Sequence, residues 1–154
     1  GMKQPKWLTS LEFRDHETPG YWVDRGWNNA AIPPTTSVID AVDADNYDPK
    51  TGLVPVGGIA YAGTRGISKV EVQVDHGPWT AAELRNPPLS PLTWVQWRYL
   101  WKAEIGQHEF KVRAYDGTGQ VQTDVVAPPA PDGATGINAR TGFFSQGSNG
   151  SGVK

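Results

Sequence analysis

The chain has 154 residues, enough for one domain with a core plus flanking segments. Its 14 basic and 16 acidic residues are interspersed and give a net charge of −2, so it lacks the basic surface that nucleic acids and anionic membranes attract. The absence of cysteine excludes disulfides, thiolate metal sites and a cysteine nucleophile, while 18 Gly and 13 Pro indicate short strands joined by turns.

From its first residues we expect no targeting or membrane segment in the sequence as given. No apolar run approaches membrane-spanning length, and the first residues, GMKQPKW, lack the apolar core of a signal peptide. We therefore expect either a cytoplasmic protein or a chain without its natural N-terminus. Gly1 before Met2 has the form of a residue left by cloning.

Residues 1–29 are aromatic but polar overall. Alternation predicts a strand over Trp7–Phe13, and further aromatic residues follow in Tyr21–Trp27. This segment is too short to form a core of its own. Its aromatic side chains either attach it to the following domain or belong against a larger neighbour.

Residues 30–52 form a connector rich in Pro, Thr and Asp. Thr36–Asp40 is compatible with a short edge strand. The acidic residues that follow do not match a calcium loop that starts at Asp43, because Asp48 stands where glycine is needed and Val54 where the bidentate glutamate belongs. A solvated loop is the better interpretation.

Regular alternation begins at Leu53. Val54, Val56, Gly58 and Ala60 predict one face of a strand, which Gly58 thins where a backbone or a bulky side chain approaches. The turn 63–66 favours a hairpin over a phosphate loop, since no Gly-Lys-Ser/Thr follows. Ile67–Val74 is a half-buried strand, Asp75–Pro78 a turn, and Trp79 an apolar anchor.

A short strand is predicted at Thr80–Leu84, and a second aromatic-rich stretch covers residues 93–103. Its tryptophan spacing suits a helix, but the two-residue alternation that continues through Phe110–Tyr115 favours a β-hairpin. The aromatic side chains of this hairpin either bind sugar rings or form core or interface; the second interpretation is favoured because a sandwich needs large inward residues. They are Trp94, Trp97, Tyr99 and Trp101.

The C-terminal part combines one more strand with a tail. Val121–Val125 is predicted as the last strand, and Ala127–Gly133 as the end of regular structure. Residues 139–154 are expected to be a flexible tail, in which the glycosylation sequon at Asn149 is a chance match.

Catalytic motifs are missing from the sequence. His16, His76 and His108 lie in separate turns without a second ligand at metal spacing, and the chain has no Gly-x-Ser-x-Gly elbow. This absence and the β-sandwich pattern together argue against a self-contained enzyme.

Three ordered segments carry a resemblance to a known family. Residues Gly58–Thr80 resemble "G-x-A-x-(S/A)-G-x-x-x-I-x-x-V-E-V-S-x-D-G-G-x-x-W" of the sulfite oxidase family of molybdopterin oxidoreductases. Trp94–Trp97 with Gly106 and Val112–Gly119 resembles "W-x-x-W … G … V-R-A-x-D-x-x-G", and Pro131–Gly136 resembles the closing "P-x-G-A-T-G". In that family these segments belong to the C-terminal dimerisation domain.

The resemblance implies an all-β, immunoglobulin-like (E-set type) sandwich with an irregular N-terminal extension. Lys6–Thr9 and Gly20–Trp27 resemble the last strand and exit loop of the preceding molybdenum-cofactor domain. The implied division is a remnant of that domain at 1–29, a connector at 30–52, the dimerisation domain at 53–138 and a tail at 139–154. The implied partners are a second copy and the upstream cofactor domain, without nucleic acid or a membrane segment in this chain.

The resemblance also bears on chemistry. The family holds molybdenum through a pterin dithiolene and one cysteine of the upstream domain, so we expect molybdopterin in a parent protein and no cofactor, metal or catalytic residue in this chain. Arg25 and Trp27 would lie at the edge of the parent's substrate pocket, with Trp27 where the family often has tyrosine. The parent is expected in the periplasm or anchored to a membrane outside the cytoplasm. The alternative is a stand-alone immunoglobulin-like module that binds carbohydrate or protein.

Overall fold

The structure is a computed structural model that describes residues 6–90 and 92–145, and it confirms the predicted all-β sandwich. The strands are β1 Thr36–Val42, β2 Leu53–Tyr61, β3 Ile67–Val74, β4 Thr80–Ala81, β5 Glu83–Leu84, β6 Val95–Lys102, β7 Gly106–Asp116 and β8 Asn138–Phe144. Three single 3₁₀ turns cover Val23–Arg25, Ala44–Asn46 and Gly63–Arg65. None of the helical turns among the described residues is long and apolar enough to cross a membrane.

The strands form two antiparallel four-stranded sheets. Sheet A has the order β1-β2-β6-β5 and sheet B the order β4-β3-β7-β8. The sheets face each other across the core, and their inward positions follow the alternation in the sequence. In β2 every second residue from Val54 to Ala60 is buried, and Val70 and Val72 of β3 lie beside Ala114 and Val112 of β7 on the inward face of sheet B.

Consecutive strands cross between the sheets more often than the sequence indicated. The hairpin predicted for residues 93–115 is wrong: β6 lies in sheet A and β7 in sheet B. The turn 63–66 likewise joins β2 to β3 across the sandwich. In each case the two connected strands lie in opposite sheets, and their bulky inward side chains pack against each other across the core. The rings of Trp101 in β6 and Phe110 in β7, for example, make an edge-on contact with 5.1 Å between their centres. Only β3 and β4 form the predicted hairpin.

The short strand predicted at Thr80–Leu84 is divided between the two sheets. β4 pairs with β3 in sheet B, and β5 pairs with β6 in sheet A. Ala82 lies between them and its amide still donates to the Val70 carbonyl at 2.9 Å. The chain therefore closes one side of the sandwich by passing from one sheet edge to the other.

The last strand lies later in the chain than predicted. Residues 121–125 contribute only an isolated bridge between Val121 and Tyr115. The side chain of Gln122 is buried, and its Oε1 accepts from Ser37 Oγ at 2.6 Å. Residues 139–144, expected to begin the tail, instead belong to β8. They pair with β7, and Phe144 enters the core. The remainder of the predicted tail, including the sequon at Asn149, lies outside the described residues.

Residues 6–35 contain no strand, so the strand predicted at Trp7–Phe13 is wrong. The side chains of Trp7 and Phe13 are 93% and 94% exposed. Alternation forms a strand only where a neighbouring strand supplies hydrogen bonds, and this segment has no ladder partner among the described residues. The N-terminal extension is therefore irregular.

Candidate interaction surfaces

The histidines do not come together. His16 is exposed beside Asp15, and His76 is exposed on the β3–β4 turn, 4.0 Å from Glu109. His108 is buried. Among residues 6–90 and 92–145, no group of three or more His, Cys, Asp or Glu side chains could hold a metal ion.

His108 connects two turns at one end of the sandwich. Its Nδ1 lies 2.5 Å from the Asp75 carboxylate and its Nε2 lies 2.9 Å from the Glu104 carbonyl oxygen. Both neighbours offer acceptor oxygens, and the ring therefore bridges the two turns. Burial alone would raise the pKa of Asp75, but hydrogen bonds from His108 and from the Glu109 amide outweigh it and lower that pKa. The group holds the two turns together.

A partly buried ion pair joins Arg65 to Asp116. The Arg65 Nε lies 2.9 Å from the Asp116 carboxylate, which is 1% exposed. The hydroxyl of Thr118 donates to the same carboxylate at 2.6 Å, and the amides of Thr118 and Gln120 add two further bonds. Donation by Thr118, with the Arg65 contact and against the effect of burial, lowers the pKa of Asp116 to about 2. Sequence reasoning missed this pair, because 51 positions separate its members.

The outer face of sheet B is covered by a charged network. The Glu71 carboxylate accepts from Arg113 at 2.8 Å, from Lys69 at 2.8 Å and from the Tyr115 hydroxyl at 3.1 Å. These bonds outweigh burial and lower the pKa of Glu71. The Arg113 guanidinium also lies 4.2 Å from the centre of the Trp79 ring, the anchor predicted from the sequence. This face satisfies its own polar groups and suits exposure to water.

The two residues predicted for a pocket edge, Arg25 and Trp27, lie in one tight turn. The Arg25 guanidinium stacks 3.5 Å from the Tyr21 ring centre and donates to the Tyr21 carbonyl at 3.0 Å. The ring of Trp27 contacts that of Trp22 edge-on at 6.4 Å. The turn thus presents a positive charge within an aromatic cluster on the surface.

The N-terminal extension is attached to the sandwich through its polar end. Asn28 donates its side-chain amide to Asp132 at 2.6 Å and its backbone amide to the Pro131 carbonyl at 3.1 Å. The large apolar side chains before it remain exposed; they are Trp7, Leu8, Leu11, Phe13, Tyr21 and Trp22. Of the two interpretations of these residues, the geometry favours contact with a neighbour, since such a concentration of exposed apolar surface is typical of an interface.

The four aromatic residues of the 93–103 stretch divide between core and surface. Trp97 and Trp101 are 3% and 6% exposed and pack inside the sandwich, while Tyr99 is partly buried. The indole Nε1 of Trp97 finds no hydrogen-bond partner among the described residues. Trp94 lies outside and stacks on Tyr61 with 5.0 Å between ring centres. The ring faces of Trp97 and Trp101 are therefore not available to a sugar.

Comparisons with known proteins bear on the fold. No protein-family model matches the chain, and no curated protein matches it. Among solved structures it is similar to the crystal structure of the sulfane dehydrogenase SoxCD from Paracoccus pantotrophus, with a TM-score of 0.53 and 24% sequence identity. The alignment covers 70% of this chain and 30% of that chain. The match establishes a shared fold. The chain spans less than a third of the neighbour's length.

Proposed function

We propose that this chain is the C-terminal dimerisation domain, together with the end of the preceding cofactor domain, of a bacterial sulfite oxidase-like molybdopterin-dependent oxidoreductase. The observation that carries the proposal is the shared fold with part of the sulfane dehydrogenase SoxCD, over 70% of this chain. That neighbour is named for the oxidation of a sulfur compound. The three motifs of the sulfite oxidase family, in their family order along Gly58–Gly136, point in the same direction.

The N-terminal extension is proposed to belong to the cofactor domain of the parent protein. In this proposal residues 1–29 pack against that domain, 30–52 connect it to the sandwich, and the dimerisation domain begins at residue 53. The exposed aromatic side chains of the extension support this division, because a larger neighbour would bury them. Arg25 and Trp27 would then lie at the edge of the parent's substrate pocket.

The chain itself is proposed to be structural and without catalytic activity. The family's molybdenum ligand is a cysteine, and this chain contains none. Its described carboxylates and imidazoles form no metal-binding group. The donor atoms present therefore do not fit the molybdenum cofactor, which the proposal assigns to the upstream domain.

Metal analysis tests the division of labour. We expect the purified chain to contain no stoichiometric molybdenum, measured by inductively coupled plasma mass spectrometry after expression in a host that makes the cofactor. Molybdenum at one atom per chain would contradict the proposal. A second observation concerns the encoding gene, where we expect a cysteine-bearing cofactor domain of about 200 residues upstream of Met2.

Sedimentation equilibrium tests the dimerisation role. A second copy is the expected partner, because closed two-fold assembly is the commonest use of a self-complementary surface. We expect the chain to form a reversible dimer at micromolar concentration. A chain that is monomeric throughout this range would contradict the proposed role.

A further inference from the structure

The outer face of sheet A differs from that of sheet B over its strands β1 and β2, which carry one charged residue between them. The outward positions of β2 are Leu53, Pro55, Gly57, Ile59 and Tyr61, and those of β1 include Thr36, Val38 and Ala41. The only charged residue of the two strands is Asp40, which lies at the bulge where the register shifts. A sheet face that meets water normally carries polar residues at these positions, as sheet B does with Lys69, Glu71 and Arg113.

Strand β6 extends this apolar face and then ends it with polar side chains. Leu100, opposite Pro55, is 46% exposed, and Trp94 extends the face by stacking on Tyr61. The other outward positions of β6 are polar: Arg98, opposite Gly57, lies 2.7 Å from Glu83, Lys102 lies opposite Leu53, and Gln96 accepts from Arg85 at 2.7 Å. The face thus has an apolar area over β1, β2 and Leu100 that is bordered on the β6 and β5 side by polar side chains, and apolar surface bordered by polar groups is typical of a specific protein interface.

We propose that a second copy of this chain covers the outer face of sheet A, which we call the sheet A face. This assignment rests on the proposed dimerisation role and names the surface that performs it. The described chain has no third layer of strands over this face, since all eight strands belong to the two sheets. Four strands of up to nine residues present roughly 500 Å² per copy, so two copies bury about 1,000 Å², which reaches the size of a specific interface.

Charge selects the direction of the two-fold axis. An axis across the strands would place β6 over β6 and bring Arg98 and Lys102 against the same residues of the second copy, a costly juxtaposition. An axis parallel to β2 instead places β6 of one copy over β1 of the other, whose only charge is Asp40. Like charges are then kept apart, and Gly57 of each copy lies near the axis.

A matched pair of charge substitutions tests the face. Leu100→Glu places a carboxylate within the sheet A face, and Phe143→Glu places one at an exposed apolar position on the outer face of sheet B. We expect Leu100→Glu to weaken the dimer at least about tenfold in Kd, and Phe143→Glu to leave Kd within about twofold. Sedimentation equilibrium of the full chain gives both values, and circular dichroism verifies that each variant is folded.

The possible outcomes distinguish a failure of the sheet A face from a failure of the dimerisation role. A monomeric wild-type chain would overturn the dimerisation role and this assignment together. A wild-type dimer that persists in Leu100→Glu, whatever happens in Phe143→Glu, would overturn the sheet A face and leave the role intact.

Cross-linking through a single introduced cysteine tests the sheet A face directly, since the chain has no cysteine of its own. A short bis-maleimide should link two copies of Gly57→Cys, and should not link two copies of the control Thr141→Cys on sheet B. The reverse labelling pattern would overturn the assignment.

Discussion

Gly58 lies at the tightest approach between β2 and its neighbours. A Cβ at this position would collide with the Val38 carbonyl oxygen and lie 2.7 Å from Cζ2 of the Trp97 indole, whereas a Cβ at the adjacent Gly57 meets only the Trp97 carbonyl at 3.4 Å. We expect Gly58→Ala to cost about 3 kcal/mol of unfolding free energy, because backbone and a buried ring must both move. Gly57→Ala is the matched control and should cost less than about 1 kcal/mol. Urea unfolding measures both; equal losses would contradict the explanation.

Asp116 is the residue whose removal tests the buried ion pair. Asp116→Asn removes the charge opposite Arg65 and weakens the acceptor for Thr118 and Gln120. We expect a fall in melting temperature of about 5–10 °C, because breaking a buried pair leaves its partner without compensation. The control is Glu83→Gln, which breaks the exposed pair with Arg98 and should change the melting temperature by about 2 °C or less. Similar effects of the two substitutions in calorimetry would contradict the assigned importance of Asp116.

These two residues show what sequence reasoning reaches at this scale. A glycine inside an alternating strand signals close approach, and the structure confirms this for Gly58. Arg65 lies in the turn between β2 and β3, and Asp116 lies at the end of β7. Because only the tertiary fold brings these two positions together, no local sequence pattern predicts their pairing. The separation of Trp97 and Trp101 from Trp94 likewise depends on which sheet face is inside.

Strand β3 is the element that the sequence defined best. Val70 and Val72 are buried, and the strand is central, between β4 and β7. We expect Val72→Asp to abolish cooperative folding, since a carboxylate would be placed in the core without a partner. His76→Ala on the following turn should change the unfolding free energy by less than about 1 kcal/mol, because that side chain is exposed. A folded Val72→Asp variant, judged by near-ultraviolet circular dichroism, would show that the core does not depend on this position.

Strand β8 shows why one element was missed. Its inward positions are Asn138, Arg140 and Gly142, which do not alternate as apolar residues. They attach the strand by polar contacts instead: Asn138 accepts from the Ile39 amide at 2.9 Å, and Arg140 donates to the Asp40 carbonyl. Hydrophobic periodicity cannot detect such a strand. Only Phe144, at its end, contributes a buried apolar side chain.

For the molecule as a whole, periodicity predicted the layers better than the connections. Alternation identifies a strand and its inward face, and therefore indicates a sandwich of two apolar faces. It does not say whether the next strand pairs beside the first or packs opposite it, and in this chain both the β2–β3 and the β6–β7 connections cross between sheets. The charge difference between the outer faces became visible only when the register assigned each side chain to a side.

Acid sensitivity is a property of the whole sandwich that follows from three carboxylates. The pKa of Asp116 is lowered to about 2, and those of Asp75 and Glu71 are also lowered in the folded protein. A carboxyl group with a lower pKa when folded stabilises the protein at pH values above its unfolded pKa and loses that contribution as the pH falls through the folded value. We therefore expect the unfolding free energy to stay level down to about pH 5 and to decrease between about pH 4 and pH 2. In Asp116→Asn the lower part of this decrease should be smaller, because the group that titrates there is gone. Denaturant titrations of both proteins across this range measure the slopes, and a wild-type stability that stays constant or rises on acidification would show that these contacts do not favour the ionised carboxylates.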